Sequence, residues 1–336
     1  TLTSLEGSGM RRYLLHYLSF VFSSTMKGLS MRVGQWRPDV IWTTSPPLFT
    51  GISGIILARV WRCPVVFDVR DIWPESAVAA GQLSAAGRAF KIGKSLEKRL
   101  YDGVNYITCV SKPMAEYIGS RSRTPVAVVY NGVLRSSLSE VADSKPKRRI
   151  LYAGNLGRVQ GLDVIVRVFA QAISENLLPG WTLEFLGSGA LEAELRTLVG
   201  ELGIGNRVFF HPPVRKEVAL AELEKSALLF INLKSDGVFS LTIPSKVFDC
   251  MIANRPILAG ITGEGRAITE RTGGNIPFVP SDPKTLLEAM RRVDKDYVCL
   301  AENALQNRAV ALELYSREQS VEMLISVFDR LTRGKS

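Results

Sequence analysis

Histidine is nearly absent from this chain: there are two in 336 residues, His16 and His211. A histidine-based metal site or a Ser-His-Asp relay therefore has almost nothing to draw on. Cysteine is scarce as well. Cys63, Cys109, Cys250 and Cys299 stand far apart with no C-x-x-C pair, so neither a zinc cluster nor a dithiol redox motif has its ligands, and no metal site is expected. Scattered thiols fit a reducing, intracellular setting. No apolar run approaches the roughly 18 residues that span a bilayer, since the stretch from Leu48 to Leu57 is soon broken by Arg59 and Arg62. No signal peptide is visible. The chain opens Thr-Leu-Thr, without a methionine or an initial apolar strand, so the natural protein is expected to begin earlier.

Acidic residues are also in deficit, 32 against 42 Lys+Arg, for a net charge of +10. The deficit is local. Residues 1–150 carry 21 Lys+Arg and 10 Asp+Glu, a balance of +11, and the remainder carries −1. No nucleic-acid motif accompanies the charge, so an anionic surface is a better partner for it than nucleic acid. With 46% hydrophobic and 22% charged residues, the chain is globular rather than disordered or collagen-like, and its length suits two domains.

What is present is a rhythm. Apolar runs at Val40–Thr43, Val65–Val69, Tyr106–Val110 and Val126–Val129 read as buried strands. Helical stretches at Gly51–Val60, Ala85–Leu100 and Pro113–Ile118 lie between them. The second half repeats this, with strands at Arg149–Ala153, Thr182–Leu186, Val208–Phe210, Leu228–Ile231 and Ile257–Ala259. Its helices are Leu162–Ile173, Leu191–Leu202, Val218–Glu224, Ser245–Met251 and Pro283–Val293. Strands alternating with helices predict an α/β fold of parallel, doubly wound sheets, with ligands at the carboxyl ends of the strands. Ser136–Arg149 reads as a linker. Ser316–Arg333 reads as one amphipathic helix with Val321, Leu324, Ile325, Phe328 and Leu331 on its apolar face.

Three segments can carry chemistry. In Phe67–Glu75 a strand ends in charge, and Arg70, Asp71 and Glu75 can orient an acceptor hydroxyl or a diphosphate; on composition alone a local ion pair with Trp73 as packing is the favoured reading. In Ala153–Asp163 and Leu186–Gly189, glycines between strand and helix let backbone N–H groups approach an anion, although tight turns alone account for the same pattern. In Ile243–Ala259, Pro244 and Ser245 start a helix, with Ser245 as a candidate cap. Lys246 in the first turn opposes the helix dipole, which an anionic ligand would justify, and Asp249 can accept from ribose hydroxyls; the plainer reading is a surface Lys–Asp pair. A fourth segment, Met10–Lys27, is an aromatic helix with basic ends that suits either a membrane interface or a core.

Together, PDVIWTTSPPLFTGISG (38–54), FDVRDIWPESAVAAG (67–81), VSKPM (110–114), YNGV (130–133), YAGNLGRVQGLD (152–163), LGSG (186–189), IPSKVFDCMIANRPILA (243–259) and YSRE (315–318) resemble the retaining glycosyltransferases of family 4. The resemblance is to their bacterial branch that builds O-antigen, capsule or colanic-acid-type polysaccharide, the fucosamine-transferase-like group. It implies a GT-B fold, two Rossmann-like domains facing across a cleft, with the first lacking its opening strand. The implied domains are an acceptor domain over 1–140, a nucleotide-sugar domain over 141–315 and a helix over 316–336 crossing back to the first.

The resemblance also implies roles. Gly154, Asn155, Gly157, Arg158 and Gln160, with Gly187, Ser188 and Ser245, would face the donor diphosphate. Asp249 would contact ribose, and Val208, Phe210 and Val214 would border the base. Arg70 and Asp71 fall where relatives carry a catalytic-site histidine and its neighbour. Departures are the missing first acid of E-x7-E (Leu241), Gln160 in place of a lysine, Pro212 in place of a glycine and Leu134 in place of an aspartate. Lys246, with Arg158, is expected to replace the lost positive charge. No cofactor is implied. A nucleotide-diphospho-sugar, uridine before guanosine, would donate to a polyprenyl-diphosphate-linked acceptor, with the basic first domain peripheral on the inner face of the cell membrane. A nucleotide-sugar 2-epimerase and a truncated homologue that binds without turnover are the rival readings.

Overall fold

The computed structural model describes residues 10–31, 36–79, 81, 83–135, 145–235 and 237–333, with side chains from Leu15 on. Two units divide the chain. The first runs to Tyr130 and takes in Gln319 onward; the second is Asn131–Glu318. The first holds α1 (Met10–Ser30), β1 (Ile41–Ser45), α2 (Thr50–Trp61), β2 (Val65–Val69), α3 (Glu75–Ala79), α4 (Arg88–Gly103), β3 (Tyr106–Cys109), α5 (Lys112–Gly119) and β4 (Val126–Val128). The second holds β5 (Lys147–Ala153), α6 (Leu162–Ser174), β6 (Thr182–Leu186), α7 (Glu192–Glu201), β7 (Val208–His211), α8 (Lys216–Glu224), β8 (Ser226–Asn232) and α9 (Ser245–Ile252). It continues with β9 (Ile257–Gly260), α10 (Gly263–Thr269), β10 (Ile276–Pro277), α11 (Pro283–Ala304) and α12 (Asn307–Leu314). The last helix, α13 (Arg317–Thr332), belongs to the first unit from Gln319.

All paired strands run parallel. The first sheet has the order β1-β2-β3-β4, without reversal among the described residues. Both of its faces are covered, because successive strand side chains point to opposite sides. Phe67 lies against Gly51 of α2, whereas Val66 packs with Tyr106 and Val327 of α13. The apolar face of α13 therefore differs from the expected one. Val327, Phe328 and Leu331 pack inward, while Val321 and Ile325 are exposed.

The second sheet has the order β10-β9-β8-β5-β6-β7. Its winding reverses between β5 and β8, which is where such sheets open a crevice at their carboxyl ends. Tyr152 of β5, Phe185 of β6 and Phe230 of β8 anchor its core, all almost fully buried. The strand expected from Arg149 begins at Lys147. Arg149 can be buried because Glu184 (2.9 Å) and Glu222 (2.6 Å) pair with it. Of the expected linker, 136–144 lie outside the described residues. Val208 and Phe210, expected at the base, are instead structural: Val208 is in the core, and Phe210 stacks on Phe185 at 5.0 Å.

Redrawn on the units, the charge stays where it was expected. The first unit holds 16 Lys+Arg against 8 Asp+Glu up to Tyr130 and 3 against 2 from Gln319, a balance of +9 that leaves +1 on the second. No described helix is long and apolar enough to cross a membrane.

Candidate functional site

At the carboxyl ends of β5 and β6, two glycine turns meet backbone to backbone. Gly154 N–H donates to the Leu186 carbonyl at 2.8 Å, and Leu156 N–H donates to the Ser188 carbonyl at 2.9 Å. Gly187 (φ +145°) allows this contact, because a Cβ there would lie 2.1 Å from the Gly154 carbonyl oxygen. Beside the turns α9 begins. Pro244, not Ser245, holds the capping position, and no side chain caps the helix. Within the first turn the Val247 N–H donates to the Pro244 carbonyl at 2.9 Å, which leaves the N–H groups of Ser245 and Lys246 for water or a ligand.

The turns and α9 enclose a cleft of about 480 Å³, within the range of small-molecule sites. Gly154, Asn155, Gly187 and Ser188 line it from the turns, and Ser245, Lys246 and Asp249 from α9. Val214 closes one side with Pro213. Eight of the residues named from the sequence are thereby brought together. Gly157, Arg158 and Gln160 are not among the cleft's lining residues. Arg158 lines a neighbouring cleft of about 550 Å³ and pairs weakly with Glu194 at 3.4 Å, both exposed. Gln160 is held through its backbone carbonyl by Asn232 Nδ2 at 2.7 Å, and its Oε1 is buried without a partner among the described residues.

Lys246 sets the electrostatics. No surface Lys246–Asp249 pair forms. Asp249 pairs with Lys216 of α8 at 3.1 Å, and the Lys246 ammonium donates to the Tyr152 hydroxyl at 2.5 Å. Burial lowers the Lys246 pKa to about 8, against a pull upward from Cys250 and Asp249. A desolvated ammonium with one hydroxyl as its hydrogen-bond partner has donors left for an anion. Its stem passes over Gly154 (φ +138°), where a Cβ would sit 2.2 Å from Lys246 Cε.

In the first unit, Asp68 organises the end of β2. It is 1% exposed and accepts from Thr108 Oγ1 (2.7 Å), Thr44 Oγ1 (3.0 Å) and Arg70 Nε (2.6 Å). Arg70 is thus ion-paired, but with Asp68 rather than Asp71, and its side chain stays 44% exposed. Burial raises the Asp71 carboxyl pKa, opposed by hydrogen bonds from Ser76 and the Ile72 backbone, with Glu75 adding to the rise. Glu75 turns aside to Lys94 (2.7 Å) and Tyr117. Burial works against the Lys94 ammonium, yet its hydrogen bonds to Glu75 and Glu97 hold its pKa above the usual lysine value. Asp68 and Tyr152 are the participants the sequence reading missed. Both sit inside apolar strand runs, where only the alternation of a charged or hydroxylated residue hints at a role.

A family model described as "Glycosyl transferase 4-like domain" matches residues 5–132, and one described as "Glycosyl transferases group 1" matches residues 147–296. WbjE of Pseudomonas aeruginosa, named as a glycosyltransferase, is 24% identical over 295 residues, covering 83% of this chain and 72% of that one. WcaI of Escherichia coli K12, named for colanic acid biosynthesis, is 24% identical over 251 residues, covering 70% and 60%. In fold, the chain is similar to Anabaena HepE solved with UDP (TM-score 0.70, 16% identical, 94% of this chain and 82% of that one). It is also similar to sucrose-phosphate synthase from Thermosynechococcus elongatus (TM-score 0.77, 17% identical, 99% and 82%). The two family models in tandem, over two parallel α/β units of the GT-B kind, show that this chain belongs to the family 4 glycosyltransferases.

Proposed function

We propose that the chain transfers a sugar from a uridine-diphosphate sugar to a polyprenyl-diphosphate-linked saccharide, with retention, in the building of a bacterial surface polysaccharide. One observation carries the reading: a desolvated Lys246 ammonium lies over Gly154, at the switch point of the second sheet, with no carboxylate in ion-pair reach among the described residues. A leaving diphosphate is the anion that such a cation and the uncapped start of α9 would stabilise as charge develops. The UDP in the HepE structure and the colanic acid name of WcaI support the donor and the pathway class.

In this reading the bond between the sugar C1 and the diphosphate oxygen breaks while the acceptor hydroxyl adds to the same face of C1. The hydroxyl proton passes to the departing phosphate, whose charge Lys246 balances. Arg70, fixed by Asp68, and Asp71 orient the acceptor. The test is nucleotide release with a panel of UDP- and GDP-sugars, with and without a polyprenyl-diphosphate-linked acceptor in vesicles, followed by NMR of the anomeric configuration. Release that depends on acceptor, with a retained anomer, is expected. An inverted product, or release of a 2-epimer without transfer, would overturn it.

Attachment to the inner face of the cell membrane belongs to the same reading, on its own observation. Leu15 (64% exposed), Leu18, Phe22 (66%) and Met26 form an exposed apolar stripe along α1, on a unit carrying +9. A helix with that face and a basic surround lies in a headgroup layer.

A further inference from the structure

The cation of the donor cleft does not hold its own position. Lysine carries a flexible stem, and its three ammonium donors fix nothing until something accepts from them. Tyr152 is that acceptor. It is 0% exposed, its ring locked between Phe185 and Phe230 in the core of the second sheet. Its hydroxyl stands at the carboxyl end of β5, donating to the Asn155 carbonyl at 2.7 Å and accepting from Lys246 at 2.5 Å. The ammonium also lies 4.4 Å from the ring centroid, a cation–π distance.

Resting on the donor reading above, we infer that Tyr152 is the positioning residue of the donor site. Its phenol ties the Lys246 ammonium to the Asn155 turn, so that the remaining N–H donors and the backbone of the turn present themselves to one diphosphate. The chemistry of tyrosine suits this task. A phenol supplies one donor and an acceptor, and both are used here, which fixes the direction of each bond. Burial pushes the phenol pKa up, so it stays neutral while the lysine beside it titrates. The other groups facing Lys246 are Asp249 and Cys250 of its own helix, and Lys216 of α8, which lines the same cleft and pairs with Asp249. Asp249 is already engaged by Lys216, which leaves the phenol as the group that aims the ammonium.

The tie and the donor site are tested separately. In ligand-free protein labelled with 13Cζ-tyrosine, one resonance should shift with a midpoint near pH 8 in wild type, and that inflection should vanish in K246M. If no tyrosine follows the Lys246 titration, the tie is refuted, whatever the protein binds. For the donor, UDP affinity is measured by calorimetry at about pH 7 and pH 9, in buffers of differing ionisation heat. Wild type should take up a proton on binding above pH 8, because the diphosphate restores the charged lysine. Tyr152→Phe should weaken UDP about tenfold at pH 7, as expected for loss of a hydrogen bond to a charged group, and should move the pH limb to lower pH. In a K246M background the same change should cost under twofold. Equal losses in both backgrounds would mean that Tyr152 serves packing alone and would overturn the inference. Absence of UDP binding by wild type, with the NMR inflection present, would instead overturn the donor reading and leave the tie standing.

Discussion

Replacing Gly154 by alanine adds one methyl group at the point where the backbone and the Lys246 stem converge, beside the proposed donor site. Two consequences separate by magnitude. The backbone there has φ +138°, a region that L side chains rarely adopt, and holding alanine in it costs roughly 1–3 kcal/mol. The steric part is different in kind. The new Cβ would lie 2.2 Å from Lys246 Cε and 2.5 Å from its Nζ. These are the far end of a flexible side chain, so the lysine swings out at little cost to folding, but the cation leaves the cleft. Gly154→Ala should therefore unfold roughly 2–10 °C lower in a thermal scan. It should also bind UDP as weakly as K246M does, and combining the two should add nothing to the binding loss. Gly187→Ala is the control. Its Cβ would lie 2.1 Å from a backbone oxygen, Gly154 O, which cannot swing away, so its stability loss should be the larger of the two. If Gly154→Ala bound UDP within twofold of wild type, Lys246 would not be reaching the ligand across this glycine, and the argument would fail.

Three further outcomes follow from the same geometry. Lys246 has a pKa lowered on folding, from 10.5 to about 8, so between those values the unfolded chain holds more protons and stability rises with pH; the buried charge costs its full amount below about pH 8. K246M should accordingly be more stable than wild type at pH 7, by on the order of 1–3 kcal/mol, with the gap closing toward pH 10 in denaturant titrations; a destabilised K246M at pH 7 would contradict this. Asp68→Asn removes the charge that accepts from Arg70, Thr44 and Thr108, and should lower stability by about 2–4 kcal/mol while raising the acceptor KM and leaving the donor KM unchanged. A parallel rise in donor KM would argue against separate acceptor and donor residues. Phe22→Asp, at a side chain already 66% exposed, should leave the melting temperature unchanged and abolish flotation with anionic vesicles, whose binding should weaken with salt; equal binding to neutral vesicles would rule out the charge-led attachment.

How much of this was legible in the sequence depended on how local each signal is. Strands buried on both faces announce themselves as mostly apolar runs, so β2 and β9 fall where Val65–Val69 and Ile257–Ala259 were expected. The pieces that escaped are short or mixed: α10, α12 and the two-residue β10 have too few periods for a pattern to show. In α13, Val321 and Val327 compete for one inward face. Only the presence of Val66 and Tyr106, more than two hundred residues earlier in the chain, decides for Val327.

The same distinction runs through the candidate site. Gly154, Gly187 and the start of α9 are local devices, glycine where a turn needs positive φ and proline where a helix begins, so the turns could be named in advance. What makes them a site is not local. Tyr152 looks like one more core residue of Ile150–Ala153 until Lys246, 94 positions later, is placed on its hydroxyl. Asp68 looks like strand filler until Thr44 and Thr108 arrive from the neighbouring strands. In both units the residue proposed to touch the ligand reads from a motif, and the buried residue that holds it does not. Burying a polar group is unfavourable unless its partners are present, and those partners come from elsewhere in the fold. A tyrosine or aspartate inside an otherwise apolar strand run, near that strand's carboxyl end, is therefore the sequence feature to weigh when the aiming residue of such a site is sought.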